Sequence, residues 1–322
     1  MIDDPILIND WHVVARSADV AEGQVLATQL LDERLVLWRK DGQVLAWRDL
    51  CLHRGAGLSL GWVKDGCLVC PYHGWQYDTA GQCVHIPAHP EQVPPSKARV
   101  DTYRAREQYD LIWVSLGEPE HDIPPLAEWS DPSYRKILCG PYPYRATAPR
   151  AIENFLDVGH LPIVHAGLLG HEAHAEISDY EVKVGPEGIV AENIEVWQPD
   201  SDGQGHPGMV NYTYRVLRPL TAYFTKSKSG PSHAIMLMVT PVAELESVGW
   251  MMMCFNYNHE TPVEEFIAFQ DKIVSQDIPI VESQRPELLP LDLQAELHLR
   301  SDRTAIAYRK WLKALGLKFG TA

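Results

Sequence analysis

Two short segments of the chain carry the same pair of ligand types. Cys51-Leu52-His53 is followed, after 16 residues, by Cys70-Pro71-Tyr72-His73. Each segment offers one thiolate and one imidazole. Gly55, Gly57 and Gly74 flank them, and glycine lets backbone N–H groups come close to sulfur. A cluster of two irons and two sulfides, with cysteines on one iron and histidines on the other, needs this inventory. Histidine ligation removes negative charge relative to four thiolates. Such a cluster therefore has a raised reduction potential and accepts single electrons from a flavin or ferredoxin donor. A structural zinc site with the same four ligands is the alternative. Zinc sites usually pair like ligands, as Cys-x2–4-Cys or His-x3–5-His. Here each segment is mixed, and the first has a single residue between its ligands. Cys67 and Cys83 read as small buried apolar residues near the site, not as ligands.

A second constellation runs from Glu153 to His165, through Asp157, His160 and Pro162. Glu153 and Asp157 stand four apart, and Asp157 and His160 three apart, so the three share a helix face. His160 and His165 stand five apart, and on a regular helix would diverge by about 140°. Pro162 is expected to bend or end the helix between them, which lets both imidazoles meet one ion. Taken alone, two histidines near an aspartate are as readily a satisfied polar patch as a metal site. A third ligand is offered by a helix expected over 262–284. There Phe269, Ile273, Asp277 and Val281 recur in steps of four, so Asp277 sits in an apolar stripe. A carboxylate buried there is costly unless paired or metal-bound, although a solvated helix-end aspartate before Pro279 is the plain alternative. Two histidines and one carboxylate make the facial triad that holds ferrous iron with positions open for dioxygen. Glu282, five residues on, is the next candidate for the carboxylate.

These ligands need two platforms. The first third of the chain reads as a small all-β domain. Leu35–Trp38 and Val44–Trp47 flank an Asp41-Gly42 turn, and short extended pieces follow at Cys67–Cys70, Trp75–Tyr77 and Leu111–Leu116. A proline-rich stretch from Pro119 to Pro132 sets the boundary, giving domains at 1–118 and 119–322. In the second, residues 146–166 look helical. Strand-like runs then recur from Tyr180 to Tyr257, the first two joined by a Gly185-Pro186-Glu187-Gly188 turn. Helices close the chain at 262–284 and 302–315, the last with Ser301 as its N-cap. Strands followed by helices argue for an α+β second domain. Met251, Met253 and Phe255 alternate with Met252, Cys254 and Asn256 along one strand, and which face looks inward is open.

Composition narrows the function classes. Of 322 residues, 45% are hydrophobic and 22% charged, as in a globular protein. The longest apolar runs are too short for a bilayer, and Met1–Ile8 does not read as a signal peptide, so no membrane partner is expected and the location is read as cytoplasmic. Six cysteines in such a chain are expected to be reduced. A net charge of −15 argues against nucleic acid. The same acidity suits a basic electron donor, or is simply ordinary for a bacterial cytoplasmic protein.

Residues 51–73 and 153–165 resemble, without a departure, the two motifs of the Rieske non-haem iron oxygenases: Cys-x-His with Cys-x2-His, then Asp/Glu-x3-Asp-x2-His-x4-His. The resemblance runs over nearly the whole chain and is nearest to the vanillate and dicamba O-demethylase type and the saxitoxin-pathway hydroxylases. It implies that Cys51 and Cys70 bind one cluster iron and His53 and His73 the other. It implies that His160, His165 and Asp277 hold a mononuclear Fe(II), with Asp157 linking His160 to His73 of a neighbouring subunit. Asn154 is placed near that iron. The implied fold is a Rieske [2Fe-2S] β domain plus a helix-grip antiparallel-sheet catalytic domain, assembled as a head-to-tail homotrimer. The implied reaction is reductive activation of dioxygen to hydroxylate or O/N-demethylate a small, aromatic substrate. Electrons come from NADH or NADPH through a separate reductase or ferredoxin. Dioxygenation is the broader form, and the shortness of the chain favours monooxygenation. The rival class is a non-catalytic Rieske electron carrier or sensor with a ligand-binding domain. A zinc-binding interaction protein is the weakest reading.

Overall fold

The computed structural model describes residues 2, 4–186, 188–227 and 232–322. The chain divides into two units, Met1–Ile123 and Pro124–Ala322. The first is built almost wholly of strands after a one-turn helix α1 (Pro5–Ile8). These are β1 (His12–Arg16), β2 (Val25–Leu30), β3 (Glu33–Lys40), β4 (Gln43–Arg48), β5 (Trp62–Lys64), β6 (Cys67–Val69), β7 (Gln76–Tyr77), β8 (Cys83–His85), β9 (Thr102–Gln108) and β10 (Leu111–Ser115). Six form one antiparallel sheet in the order β1-β10-β9-β4-β3-β2, and β5 to β8 form a second in sequence order. Between them lies a core in which Trp38 and Trp47 meet edge to face at 4.9 Å. Leu58 and Leu68 in this core are fully buried, and each such side chain contributes about 1.5–3 kcal/mol.

The second unit holds a seven-stranded antiparallel sheet. After a one-turn helix α2 (Ala127–Ser130) come β11 (Arg135–Tyr144), helix α3 (Ala148–Leu156) and the short α4 (Leu161–Val164). The sheet continues with β12 (Glu181–Gly185), β13 (Gly188–Gln198), β14 (Gly208–Arg218), β15 (Thr221–Ser227), β16 (Ser232–Ala243) and β17 (Glu246–Phe255). Helices α5 (Val263–Ser283) and α6 (Arg303–Leu315) end the chain. The strand order β11-β17-β16-β15-β14-β13-β12 is a meander, except that β11 pairs with β17 and so brings the start of the unit beside its last strand. In β14, Val210, Tyr212, Tyr214 and Val216 alternate inward, as a half-buried strand requires. The expected strands and the two closing helices are present. β11 is additional, and Glu187 of the expected β12–β13 turn lies outside the described residues. Among the described residues, no helix is long and apolar enough to cross a membrane.

Three local expectations change. Pro162 does not break a helix: the break comes earlier, at the cap residue Asp157, and Pro162 stands in the first turn of α4, where its missing N–H costs no helical bond. Pro279 does not end α5, which runs on to Ser283. Asp302 rather than Ser301 is the N-cap residue of α6.

Candidate metal centres and active site

The two Cys-His loops are built alike. In each, the N–H four residues after the cysteine returns to its carbonyl: Gly55 to Cys51 at 2.9 Å and Gly74 to Cys70 at 3.1 Å. Both glycines lie at positive φ, 73° and 70°, where a side chain would be strained. Asp49 pins the first loop by accepting from the Ser59 N–H and hydroxyl, each at 2.7 Å. Cys51 and Cys70 belong to the core between the sheets, whereas His53 is half-buried and His73 exposed. The two sulfurs face each other, and the N–H groups of Tyr72 and His73 point at the Cys70 sulfur. Burial raises the Cys70 thiol's pKa against those two N–H groups. The imidazoles of His53 and His73 form a second pair, 4.4 Å apart between centroids, and Trp75 stacks on His53 at 4.6 Å. The His53 pKa is lowered by desolvation, then by His73 and Arg54, which favours the neutral ring a metal needs.

This arrangement suits two irons better than one. A single tetrahedral zinc would draw all four donor atoms to within about 4 Å of one another. Among the described residues, the one group of three such side chains with ligand atoms within 4.8 Å of one another is His160, His165 and Asp277. The four residues of the first unit instead form a sulfur pair and an imidazole pair. His53 Nδ1 is buried without a hydrogen-bond partner, as an atom reserved for a metal would be. Tyr77, which the sequence reading passed over, has its hydroxyl 3.2 Å from the Cys51 sulfur. Burial and Cys51 push its pKa up, so it stays a phenol, and it would donate to the Cys51 sulfur once that sulfur is a cluster thiolate, a contact of the kind that tunes a cluster's potential. Cys83 is a buried core residue, its thiol pushed up to about 11 by burial, whereas Cys67 is only half-buried.

In the second unit, the break at Asp157 turns the chain so that the two histidines converge. His160 and His165 bracket the single turn of α4, and their Nε2 atoms lie 3.5 and 3.1 Å from Asp277 Oδ1. Asp277 Oδ1, which faces the Nε2 atoms of both histidines, is buried yet lacks a hydrogen bond of good geometry. A buried carboxylate oxygen of that kind beside two imidazole nitrogens fits a metal better than a satisfied polar patch. Gln276, adjacent to Asp277, accepts from His165 Nδ1 at 2.8 Å and so leaves Nε2 free of its proton. His165 has a raised pKa without metal: burial lowers it, and Asp277 and Gln276 outweigh that. Asp157 keeps its Oδ1 on the Gly159 N–H at 2.7 Å and its Oδ2 3.6 Å from His160 Nδ1, with the side chain 41% exposed. Asp277 itself falls in a buried stripe of Gln270, Ile273, Asp277 and Val281 on α5. Phe269, expected in that stripe, is exposed on the helix and lines the cavity.

Other carboxylates have different partners. Glu282 accepts from Arg145, with 2.8 Å to its guanidinium, and is not at the triple. Glu153 is paired through both oxygens with the buried Arg309 at 2.6 and 2.7 Å. Arg150 and Arg309 both reach Glu296 as well, which ties α3, α6 and the connecting segment together. Removing one partner of such a buried pair costs about 3–5 kcal/mol, so Glu153 holds α3 in place and is not a ligand.

The histidine–carboxylate triple opens on a cavity of about 530 Å³. Asn154 and Phe155 of α3 line it on one side, and Tyr214, Phe224 and Met253 of the sheet on the other. Met251, Met253 and Phe255 therefore form the cavity face of β17, and Met252 and Cys254 are buried on the opposite face. A cavity this size, mostly apolar and aromatic, suits a small organic molecule of one or two rings.

Two family models match the chain: the Rieske [2Fe-2S] domain over residues 10–104 and the vanillate O-demethylase oxygenase C-terminal domain over residues 144–318. Methylxanthine N1-demethylase NdmA of Pseudomonas putida is 33% identical, across 95% of this chain and 88% of that protein. Its structure with caffeine superposes with a TM-score of 0.85 at 31% identity, covering 96% of this chain and 90% of that one. The crystal structure of dicamba monooxygenase bound to dicamba gives a TM-score of 0.81 at 26% identity, covering 96% and 97%. Oxidoreductase NdmD of Pseudomonas putida is 40% identical over 114 residues, which is 35% of this chain and 19% of that protein. With both family models matched in order and a relative similar along nearly its whole length, this chain belongs to the Rieske non-haem iron oxygenases, oxidoreductases that use a [2Fe-2S] cluster and a mononuclear iron.

Proposed function

We propose that this oxygenase component hydroxylates or demethylates a planar aromatic or heteroaromatic molecule held in the second unit's cavity. The observation that carries this is the His160–His165–Asp277 triple at the wall of an aromatic-lined cavity of about 530 Å³. Cys51, Cys70, His53 and His73 would hold the cluster, and His160, His165 and Asp277 the ferrous iron. When bound, that iron supplies dioxygen activation with two electrons delivered singly by the cluster. Overall, substrate, dioxygen, two electrons and two protons give one hydroxylated product and one water. Where the hydroxyl lands on an O- or N-methyl group, the methyl leaves as formaldehyde.

The chain's own groups orient and insulate. Gln276 fixes the His165 ring with Nε2 toward Asp277. Asp157 faces Nδ1 of His160 and still has an open side. That open side supports a link to His73 of a neighbouring subunit and hence a homotrimer with electron transfer between chains. The electron donor is a reductase or ferredoxin drawing on NADH or NADPH, and a cytoplasmic location suits six cysteines of which none is in a disulfide among the described residues.

The test is NADH and oxygen consumption with a surrogate reductase, over methoxyaryl acids, N-methyl heterocycles and unmethylated aromatic acids. One planar class should stimulate both, and with a methylated member formaldehyde should match the oxygen consumed. Iron-replete protein whose cluster is reduced by the donor, yet whose oxygen uptake no compound stimulates, would be an electron carrier instead.

A further inference from the structure

The cavity face of the sheet carries a buried pair of neutral polar groups. Tyr214 on β14 pairs with Phe224 on β15, and Phe155 of α3 packs on both rings at 5.9 and 5.3 Å. Tyr212 stands two residues before Tyr214 on the same face of β14, about 7 Å along the strand. Its ring meets that of Phe224 edge to face at 5.2 Å. Gln198, the last residue of β13, donates from Nε2 to the Tyr212 hydroxyl at 2.8 Å. Gln198 is 1% and Tyr212 3% exposed, and both line the cavity. Their bond uses one half of each group. It fills an acceptor site on the Tyr212 oxygen, which leaves the phenol hydrogen to give. Among the described residues, nothing donates to Gln198 Oε1. Gln198 lines the cavity and its Oε1 is not sealed in the packing, so that acceptor faces the cavity.

The pair lies at the end of the cavity away from the iron-binding carboxylates. Tyr214 is pushed up first by burial, with Asp157 and Asp277 among the charges acting on it. Tyr212 is also raised by burial, against the Gln198 bond, and the one further group raising it is Tyr257. Charge at this end is mixed. Lys226 pairs in register with Tyr212, is 8% exposed and is engaged within the protein. Burial, then Asp200 and Asp202, raise the Tyr257 pKa, so negative charge reaches the same end. What the end offers a ligand is therefore one neutral donor beside one neutral acceptor.

We propose that Gln198 and Tyr212 bind the N–H and C=O edge of a cyclic amide, a lactam, whose opposite end is oxidised beside His160, His165 and Asp277. The inference rests on the oxygenase reading and names its substrate class, a neutral heteroaromatic with an unmethylated lactam N–H. Ring closure holds the N–H and C=O of a lactam side by side. The N–H donates to Gln198 Oε1, and the carbonyl accepts from the Tyr212 hydroxyl. A simple aromatic ether or hydrocarbon leaves both protein groups unpaired in a buried place, which is costly. A lactam methylated on that nitrogen keeps the carbonyl contact but sets a methyl against Oε1. A carboxylate accepts from Tyr212 but sets its second oxygen against the Gln198 oxygen. The ring behind the lactam edge would lie across Phe224 and Tyr214, toward the triple.

The test is equilibrium binding to the anaerobic, iron-replete protein. The probes are methoxy-substituted quinolinones, pyridones and pyrimidinones, the same compounds methylated on the lactam nitrogen, and methoxybenzoates. At least one N–H lactam should bind about 10-fold or more tightly than its N-methyl partner. Gln198→Leu should weaken the N–H lactam by a similar factor and leave the N-methyl one no weaker, so the preference disappears. Tyr212→Phe should weaken both, because both carry the carbonyl, and keep the preference. Iron content and cluster absorbance of each variant should equal those of wild type, which separates lost binding from lost folding. If one variant fails that control, the other still decides. No N–H lactam bound at millimolar concentration, equal affinity for N–H and N-methyl lactams, or a preference that survives Gln198→Leu overturns the inference. So does tight binding of the methoxybenzoates alone. Failure of the oxygenase reading is distinguishable, because it would appear as missing mononuclear iron in the wild-type protein.

Discussion

Asp277→Ala will strip the mononuclear iron and lower substrate-coupled turnover by more than about 100-fold, while the cluster spectrum stays as in wild type. Loss of a group that merely orients a ligand costs about 10- to 100-fold in metal affinity or activity, and loss of a ligand itself should cost more. The two remaining imidazoles cannot replace a charged oxygen that lies within 3.5 Å of both. Glu282, the other candidate on α5, does not stand in for it, since it is held by Arg145. The cluster loops belong to the other unit, so their absorbance serves as an internal control. Iron analysis together with turnover decides the matter. A variant with near wild-type iron and activity would place the third ligand elsewhere.

Asp157→Ala is expected to leave both metal sites filled and still abolish nearly all substrate-coupled turnover. Asp157 touches no ligand atom of the triple; its Oδ2 faces the far nitrogen of His160, and much of its side chain is open. An ionised carboxylate between two imidazoles is a charge-assisted contact that fixes both tautomers. If the second imidazole is His73 of a neighbouring subunit, electrons cross between chains there. Complementation reads this directly. A Cys51→Ala chain, lacking the cluster, and a His160→Ala chain, lacking the catalytic iron, should each be inactive. Co-assembled, they should recover activity, because an intact cluster on one chain then faces an intact iron on another. Mixed assemblies shown by mass that stay inactive would mean transfer within one chain and would remove the role given to Asp157.

What could be read in the sequence follows from how local each signal is. The Cys-His loops and the 153–165 segment announce themselves because ligand spacing within a dozen residues is a local constraint. Asp277 was visible because a carboxylate interrupts an apolar stripe. Strands β12 to β17 were legible from alternation, whereas β11 was not, because Gly140, Pro141 and Pro143 disguise a strand that nonetheless pairs with β17. The inward face of β17 stayed open for a physical reason: both faces are buried, one by the cavity and one by packing, so alternation carries no polarity there. Glu153 looked like part of the metal face. Its true partner, Arg309, lies 156 residues away and left no trace in local spacing. Tyr77 and Gln276 are the same kind of case. Each matters through a contact or cavity made by folding, and neither belongs to a motif. Pro162 and Pro279 misled because proline tolerates a first helical turn and can sit inside a long, well-packed helix, so its presence alone does not locate a break.

The central claim is that one chain carries both a two-iron two-sulfur cluster and a mononuclear iron. The most direct measurement is iron and acid-labile sulfide per chain in anaerobically purified protein, read together with its reduced-state paramagnetic spectrum. The ligand sets predict about three irons and about two sulfides, with a Rieske-type signal. Stoichiometric zinc without sulfide, or two irons with no third even after anaerobic ferrous loading, would contradict it.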